Sequence, residues 1–225
     1  MTSLDLYAKI EPLIGFYDEY ERLYSSYLQL LFPLHVKSVL DIGCGKLLKL
    51  LEINGYDAFG IERSKEMVKR AQKLGVQAEV TELSSLQVDS FECALAVGDV
   101  LNYIKDDELD AFFDGVARVV NKEGYFLADI NTVEGFEVAD GVMSRDFDDK
   151  FLSIEALYED EILETNITFF EKSGTKYKKY SAQVLQYYHA KKRFENLEKF
   201  RLLSSSPISM FSGEDEKLLM LFQII

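Results

Sequence analysis

The residues of this chain best suited to chemistry lie in the segment VLDIGCGKLLKLLEINGYDAFGIERS, at positions 39–64. An apolar run leads to Asp41, Gly43 and Gly45 open a helical pattern, and a second apolar run ends in Glu62. Because glycine has no Cβ, a ligand can approach the backbone N–H groups of such a turn closely. An acid after the next strand accepts hydrogen bonds from both ribose hydroxyls. The spacing therefore predicts a site for an adenosine-containing ligand.

The neighbours of the two glycines indicate which adenosine ligand fits. Asp41, two residues before Gly43, would repel a pyrophosphate but attract the ammonium group of a methionine moiety. A third glycine, which dinucleotide-binding turns carry, is also missing. Both features disfavour a nicotinamide-dependent oxidoreductase.

The two motifs resemble those of the class I S-adenosylmethionine-dependent methyltransferases of the small-molecule type. DIGCG matches the first motif of that family, and Glu62 in GIERS matches its ribose acid. Family members commonly continue with Thr and Gly, whereas this chain runs from Gly45 directly into Lys46 and Leu47. The shortened turn leaves two interpretations: an enzyme with a compact loop, or a non-catalytic protein that binds S-adenosylmethionine or S-adenosylhomocysteine.

The resemblance extends to two later segments. Glu82 in AEVTELSSL matches an acid near the adenine amino group, and VGDVLNYI at 97–104 is similar to a segment that borders both cofactor and acceptor. The implied cofactor is S-adenosyl-L-methionine, with no metal. The implied cofactor-binding residues are Tyr20, Asp41, Gly43, Cys44, Gly45, Glu62, Arg63, Glu82, Leu83, Gly98 and Asp99.

Methyl transfer is a single displacement in which the cofactor supplies the reactive group, so no covalent nucleophile is needed. A protonated amine acceptor requires a base, and a hydroxyl acceptor requires one more urgently. The candidate catalytic residues are Asp99, Tyr103 and His189. Their structural alternatives are a helix-capping acid, a packed aromatic ring and a buried structural histidine. His189 lies in YYHAKKRF, which resembles an acceptor-pocket segment of related enzymes.

Three further positions are weighed near the mouth of the predicted site. Asn131 follows an apolar run and is expected at the carboxyl edge of the sheet, where open α/β folds bind ligands. Tyr17 or Tyr20 is expected to close over the methionine end of the cofactor, as N-terminal aromatic residues do in similar enzymes. His35 is interpreted as structural.

Continuous apolar runs (SVLDI, AFGIE, FECALAV, YFLADI) alternate with helical segments, which is typical of parallel strands covered on both faces. We predict an α/β fold with a doubly wound, mostly parallel seven-stranded sheet. Ser64 is expected to begin a helix, and Gly75 and Gly124 to end two. The predicted single domain comprises a helical cap at 1–34, a nucleotide-binding core at 35–130, an antiparallel insertion at 131–190, and a C-terminal helix and hairpin at 191–225.

The charge pattern of the insertion predicts a hairpin. Residues 134–161 are acidic, whereas 172–193 carry seven Lys or Arg and no acid. Pairing about Gly174 would place Glu171 opposite Lys176. A helix is expected near residues 195–203, followed by a hairpin that closes the sheet edge.

The amino-acid composition limits the kinds of partner that we expect for this protein. The 225 residues carry 25 Lys plus Arg against 39 Asp plus Glu, a net charge of −14, which disfavours nucleic acid, although the basic strand leaves a tRNA or protein substrate open. Cys44 and Cys93 are expected to be reduced thiols. No leader or membrane-spanning pattern is evident, so a cytoplasmic monomer or homodimer acting on a small-molecule amine or hydroxyl acceptor is expected. The sequence does not identify that acceptor.

Overall fold

The computed structural model describes residues 2–225, except for the side chain of Tyr17. The helices are α1 (Ser3–Ile14), α2 (Tyr17–Leu31), α3 (Lys46–Ile53), α4 (Lys65–Lys73), α5 (Asp106–Val119) and α6 (Val133–Ala139). The strands are β1 (Ser38–Ile42), β2 (Asp57–Glu62), β3 (Ala78–Val80), β4 (Phe91–Ala96), β5 (Val120–Asn131), β6 (Gly141–Phe147), β7 (Lys150–Glu159), β8 (Ile162–Ser173), β9 (Lys176–Tyr187), β10 (Phe200–Ile208) and β11 (Lys217–Ile224).

Seven strands form the main sheet in the order β10-β11-β5-β4-β1-β2-β3. Strands β1 to β5 run parallel to one another, and β11 is antiparallel to both β5 and β10. The predicted doubly wound sheet is therefore confirmed. Its parallel strands form from the continuous apolar runs because helices cover both faces of the sheet.

The insertion after β5 is a four-stranded antiparallel sheet in the order β6-β7-β8-β9, as predicted. Its β8–β9 hairpin turns at Gly174, whose φ is +63°. The predicted pairing of Glu171 with Lys176 is wrong: Ser173 lies opposite Lys176, and Glu171 lies opposite Lys178. A tight two-residue loop sets this register, because loop length fixes strand pairing in a hairpin.

Two predicted helix features are also wrong. The region expected to be helical near residues 195–203 contributes to β10 instead, and only a short 3₁₀ turn at Lys191–Phe194 precedes it. Pairing with β11 overrides the local helical preference of this segment. Gly124 lies within β5, since α5 already ends at Val119. A Cβ on Gly124 would lie 2.7 Å from the carbonyl oxygen of Glu92, so close backbone packing explains this glycine.

The other helix signals are confirmed. Ser64 begins α4, where its Oγ accepts a hydrogen bond from the Met67 amide. Gly75, with φ of +81°, follows the end of the same helix. These two signals succeeded because both depend on local backbone chemistry.

Each face of the main sheet has its own core. On one face, aromatic rings of α5, β5, β10 and β11 pack together, including Phe113 and Phe126. On the other face, α2, α3 and α4 cover the sheet, with Tyr27 and Leu48 fully buried. Helix α1 belongs to neither core. It packs against α4 and β9 and so bridges from the core to the insertion.

Across residues 2–225, no helix combines the length and the hydropathy needed to cross a bilayer.

Candidate functional site

The glycine turn between β1 and α3 is compact and tied to β2. The amides of Gly43 and Cys44 both donate to the carbonyl oxygen of Ile61, at 2.9 and 3.1 Å, and Gly43 has φ of +74°. The Cys44 side chain is buried against Gly60, where an added Cβ would lie 2.7 Å from the Cys44 Cβ. Cys44 is therefore a core residue that offers only its backbone to a ligand, and burial raises the pKa of its thiol.

The shortened turn leaves the ligand side of the glycines clear of α3. Helix α3 begins at Lys46, directly after Gly45, and Leu47 and Leu48 are 2% and 0% exposed in the core beneath the helix. An added Cβ on Gly45 would find its nearest neighbour, Met67 Cε, only at 3.9 Å. Gly43 is more enclosed, since a Cβ there would lie 2.8 Å from Val100 Cγ2. The missing residues thus shorten the connection without inserting a leucine into the site.

Asp41 provides a buried carboxylate beside this turn. Its side chain is 2% exposed, and within residues 2–225 its Oδ2 has no hydrogen-bond partner. Burial raises the pKa of Asp41 to about 7, although the Gly45 amide donates a hydrogen bond that opposes the shift. A buried polar atom without a partner is costly, so this oxygen is suited to a ligand that brings a donor or a positive charge.

Glu62 faces the same turn from the end of β2. Its Oε1 accepts a hydrogen bond from the Ser64 amide at 2.7 Å. Its Oε2 lies 3.8 Å from where a Cβ on Gly43 would stand, so this oxygen faces the glycines. Burial raises the pKa of this carboxyl. Asp41, Gly43, Gly45 and Glu62 are thus brought together, as the sequence predicted.

Three residues that were predicted to bind the cofactor lie apart from this group. Arg63 and Glu82 form an exposed ion pair at 3.8 Å, with side chains that are 73% and 66% exposed. The Leu83 side chain packs onto α5, where a Cβ on Gly115 would lie 3.2 Å from Leu83 Cδ1. Because β3 is only three residues long and leads directly into a 3₁₀ turn, the structure does not bring these side chains into the buried part of the site.

A buried polar cluster, formed by Asp99, Asp129, Asn131 and Lys217, lies at the carboxyl ends of β4 and β5. The amides of Gly98 and Asp99 donate to the two carboxylate oxygens of Asp129, at 2.8 and 3.1 Å. Both residues adopt positive φ, +79° and +68°, which turns their amides towards β5. Burial raises the pKa of Asp129 to about 6.

Two other elements complete this polar cluster. From α2, the Tyr27 hydroxyl donates to Asp129 at 2.7 Å. From the start of β11, Lys217 Nζ donates to Asn131 Oδ1 at 2.8 Å and to Asp129 Oδ2 at 3.2 Å, and it also forms an ion pair with Asp99. Asp129 and Lys217 were not expected from the sequence, where neither belongs to a recognisable motif.

Asp99 joins the polar cluster to the insertion. Its Oδ2 accepts a hydrogen bond from Gln186 of β9 at 3.4 Å, and its side chain remains 17% exposed. Neighbouring Gly98 faces α2, because a Cβ there would lie 3.7 Å from Tyr20 Cε1. Asp99 therefore lies where the sheet, the N-terminal helices and the insertion meet.

Three tyrosines meet above this region. Tyr7 of α1 and Tyr20 of α2 line the same small cavity, and Tyr103 lies within electrostatic range of both. Burial raises the pKa of the Tyr103 hydroxyl. A cavity of about 20 Å³ remains beside Tyr7 and Tyr20, enough for one water molecule. Tyr7 was missed by the sequence prediction, because α1 carries no family motif.

His189 has a structural environment, which is the alternative that the sequence left open. Its ring is nearly buried, and Nε2 lies 3.2 and 3.0 Å from the carbonyl oxygens of Leu101 and Ile104. Burial lowers the pKa of His189. The ring therefore anchors the 3₁₀ turn that carries Tyr103 instead of facing the polar cluster. His35 is exposed and ends the turn before β1. The side chain of Tyr17 lies outside the described residues.

Comparisons with known proteins agree with this fold. Residues 39–124 match a family model described as "Methyltransferase domain". A search of the curated proteins found no match. Among solved structures, an S-adenosylmethionine-dependent methyltransferase from Clostridium acetobutylicum aligns with a TM-score of 0.76 at 19% identity, covering 97% of this chain and 96% of its own.

Two further similar structures are of enzymes whose names state the kind of acceptor that they methylate. CalS10 from Micromonospora echinaspora, an amino pentose methyltransferase with bound S-adenosylmethionine, aligns with a TM-score of 0.68 at 11% identity, covering 98% and 97% of the two chains. The sugar N-methyltransferase KedS8 from Streptoalloteichus aligns with a TM-score of 0.70 at 14% identity, covering 96% and 91%.

Residues 39–124 therefore resemble a methyltransferase domain, and the whole chain has the fold of the class I S-adenosylmethionine-dependent methyltransferases. S-adenosylmethionine is the cofactor of this class. The residues present fit it: Asp41 Oδ2 is a buried acceptor in need of a donor, Glu62 Oε2 faces the turn, and Gly45 leaves its surface open.

Proposed function

We propose that this protein transfers a methyl group from S-adenosylmethionine to the amine of a small-molecule acceptor. The observation that carries the proposal is the buried, unpartnered Asp41 oxygen beside the glycine turn and Glu62. An amine acceptor is favoured over a hydroxyl by the descriptions of two structural relatives, an amino pentose methyltransferase and a sugar N-methyltransferase.

Each residue has a proposed binding role. Asp41 Oδ2 binds the ammonium group of the methionine moiety, because opposite charges attract strongly where water is scarce. Glu62 binds the ribose hydroxyls, and the backbone at Gly43 and Gly45 allows close approach. When bound, the cofactor supplies an electrophilic methyl group. The protein itself contributes position, orientation and the electrostatic field.

The acceptor amine must lose a proton before it attacks. Asp99 is the ionisable group best placed to receive that proton, since it is partly exposed, accepts a hydrogen bond from Gln186 and follows Gly98, which faces Tyr20. The Tyr7, Tyr20 and Tyr103 side chains narrow this space and exclude water from it. Tyr103 thus acts as an aromatic wall with its hydroxyl near the acceptor.

The binding site is tested by calorimetry with S-adenosylmethionine and S-adenosylhomocysteine. Asp41→Ala and Glu62→Ala are expected to abolish measurable binding, because each removes a buried carboxylate that faces the turn. Glu82→Ala is the matched control: its carboxylate is exposed, so affinity should remain within about twofold. Unchanged affinity in both buried-acid variants would refute the site.

The reaction is tested with amino sugars and their hydroxyl counterparts, such as glucosamine against glucose, by mass spectrometry of the products. A mass gain of one methyl group on the amino sugars alone supports N-methylation.

A second candidate function is a protein that binds the cofactor without turnover. The close packing of Val100 beside Gly43 favours this second function. Binding to S-adenosylmethionine with no methylated product from any amine or hydroxyl compound in the panel would support it.

A further inference from the structure

Lys217 occupies an unusual position for a lysine. It lies at the first residue of β11, opposite Asn131 of β5, and is only 4% exposed. Its Nζ meets three oxygen atoms from three side chains, those of Asp99, Asp129 and Asn131. Lysine is almost never fully buried unless it is paired. A buried lysine at the edge of a site therefore calls for an explanation beyond packing.

The arrangement matches a charged ammonium group. An ammonium has three N–H donors and no acceptor, and here three acceptors surround it. Burial lowers the pKa of Lys217, whereas the two carboxylates favour its charged form by attraction. The titratable groups that face Lys217 from the elements around it are Asp99 after β4, Asp129 of β5 and Tyr27 of α2.

The two carboxylates paired with Lys217 differ in what else holds them. Asp129 is 0% exposed and also accepts hydrogen bonds from Tyr27 and from the amides of Gly98 and Asp99. It is fully engaged in the fold. Asp99 retains exposure: within residues 2–225, its buried Oδ1 has only the ion pair with Lys217, and its Oδ2 accepts a long hydrogen bond from Gln186. Asp99 is therefore the member of the polar cluster that can exchange a proton with an acceptor.

We propose that Lys217 is a positioning residue that keeps the Asp99 carboxylate ionised and oriented beside Gln186 of the insertion. This inference rests on the proposed function. In the proton-transfer step, an N–H bond of the acceptor ammonium breaks and an O–H bond forms on Asp99. The electron pair stays on nitrogen, which then attacks the methyl group.

The first test needs no acceptor. The carboxyl carbon of Asp99 is followed by ¹³C NMR over a pH titration in the full-length protein saturated with S-adenosylhomocysteine, with Asp99→Asn used to assign the signal. In the wild type, Asp99 is expected to be ionised at about pH 7, because an adjacent cation favours the carboxylate. In Lys217→Met, its titration should move upward by roughly one pH unit or more. Lys217→Arg retains the charge and should restore most of the shift.

Three results would overturn the inference. They are an Asp99 carboxyl that is protonated at about pH 7 in the wild type, equal titrations in the wild type and Lys217→Met, and no recovery in Lys217→Arg. An Asp99 carboxyl that is protonated at about pH 7 in the wild type overturns the inference even if Lys217→Met fails to fold.

The second test uses turnover of an amino sugar that the panel identifies. Lys217→Met should raise the acidic limb of the kcat profile by about one pH unit and so lower kcat about tenfold at pH values below that limb, with cofactor affinity within about twofold. Lys176→Met, in the exposed hairpin, is the matched control and should match the wild type. A superimposable profile for Lys217→Met would overturn the inference. Failure of every amine in the panel would count against the proposed function, while the NMR titration would still decide the role of Lys217.

Discussion

At the scale of single residues, burial of the Asp41 carboxyl lowers the stability of the ligand-free protein. A carboxyl group with 2% exposure and an unpartnered oxygen is unfavourable in its charged form, and its pKa rises to about 7 as a result. A cationic ligand would supply the missing partner. The same carboxyl therefore destabilises the ligand-free protein and would strengthen binding of the proposed cofactor.

This cost predicts a pH-dependent stability. Between about pH 4 and about pH 7, folded Asp41 retains a proton that the unfolded chain releases, so its contribution to stability falls as pH rises. A shift of about three units corresponds to at most about 4 kcal/mol. Chemical unfolding of ligand-free Asp41→Asn should show a gain over the wild type at about pH 8 that is smaller at about pH 5. Parallel stabilities at both pH values would contradict the assignment.

The sequence predicted the residues of the site that depend on local order. Asp41, the two glycines and Glu62 lie along one strand-turn-helix-strand unit, so their spacing alone places them together. Lys217 could not be predicted, because it reaches Asp129 and Asp99 only through the antiparallel pairing of β11 with β5. Nothing in GEDEKLLMLFQ marks that lysine as buried.

At the scale of elements, the short helix α3 explains how the compact turn is tolerated. Leu48 is fully buried, and a Cβ on Gly60 of β2 would lie only 2.6 Å from Leu48 Cδ2. The helix is therefore packed tightly against the sheet. The buried face of α3 therefore holds the glycine turn in a fixed position relative to β2, even with the shortened connection.

A matched pair of substitutions in α3 tests this packing. Leu48→Ala should lower the free energy of unfolding by about 2–5 kcal/mol, because it removes buried methyl groups and leaves a cavity. Ile53→Ala, in the same helix but 69% exposed, should change it by less than about 0.5 kcal/mol. Urea unfolding curves of the two variants provide the measurement. Similar losses in both would mean that α3 is not held by its inner face.

Helices and strands were predicted correctly where the sequence pattern is local. The prediction failed where pairing with a distant strand determines the structure. The parallel strands were predicted because two-sided burial produces continuous apolar runs. The segment near 195–203 was expected to be helical, yet it pairs with β11 as an edge strand. The predicted register of the β8–β9 hairpin was also wrong, because the charge pattern of the sequence does not determine the length of the loop.

At the scale of the whole molecule, α1 connects the core around the main sheet with the insertion. Asp5 accepts hydrogen bonds from Ser64 Oγ at 2.8 Å and from the Glu66 amide at 3.5 Å, both at the start of α4. Glu11 pairs with Lys46 and with Arg70, each at 3.2 Å. On the opposite side, Lys9 forms an ion pair with Glu171 of the insertion.

These contacts predict that Glu11 controls how often α1 opens. Glu11→Gln removes both ion pairs with the core, so hydrogen exchange across residues 3–14 should accelerate, while exchange in α2 should stay unchanged. Glu66→Gln is the control, because the side chain of Glu66 pairs with exposed Lys69 on its own helix. Equal exchange in α1 for the wild type and Glu11→Gln would show that apolar contacts alone hold the helix.

Helix α1 is held by partly exposed ion pairs, so the salt concentration changes how strongly it is held. The Debye length falls from about 8 Å at physiological ionic strength to about 3 Å at 1 M, which is comparable to the separations within these pairs. A bound nucleoside should therefore have a shorter residence time in concentrated electrolyte. Escape of the demethylated product, and not the transfer itself, would then be the step that responds to salt.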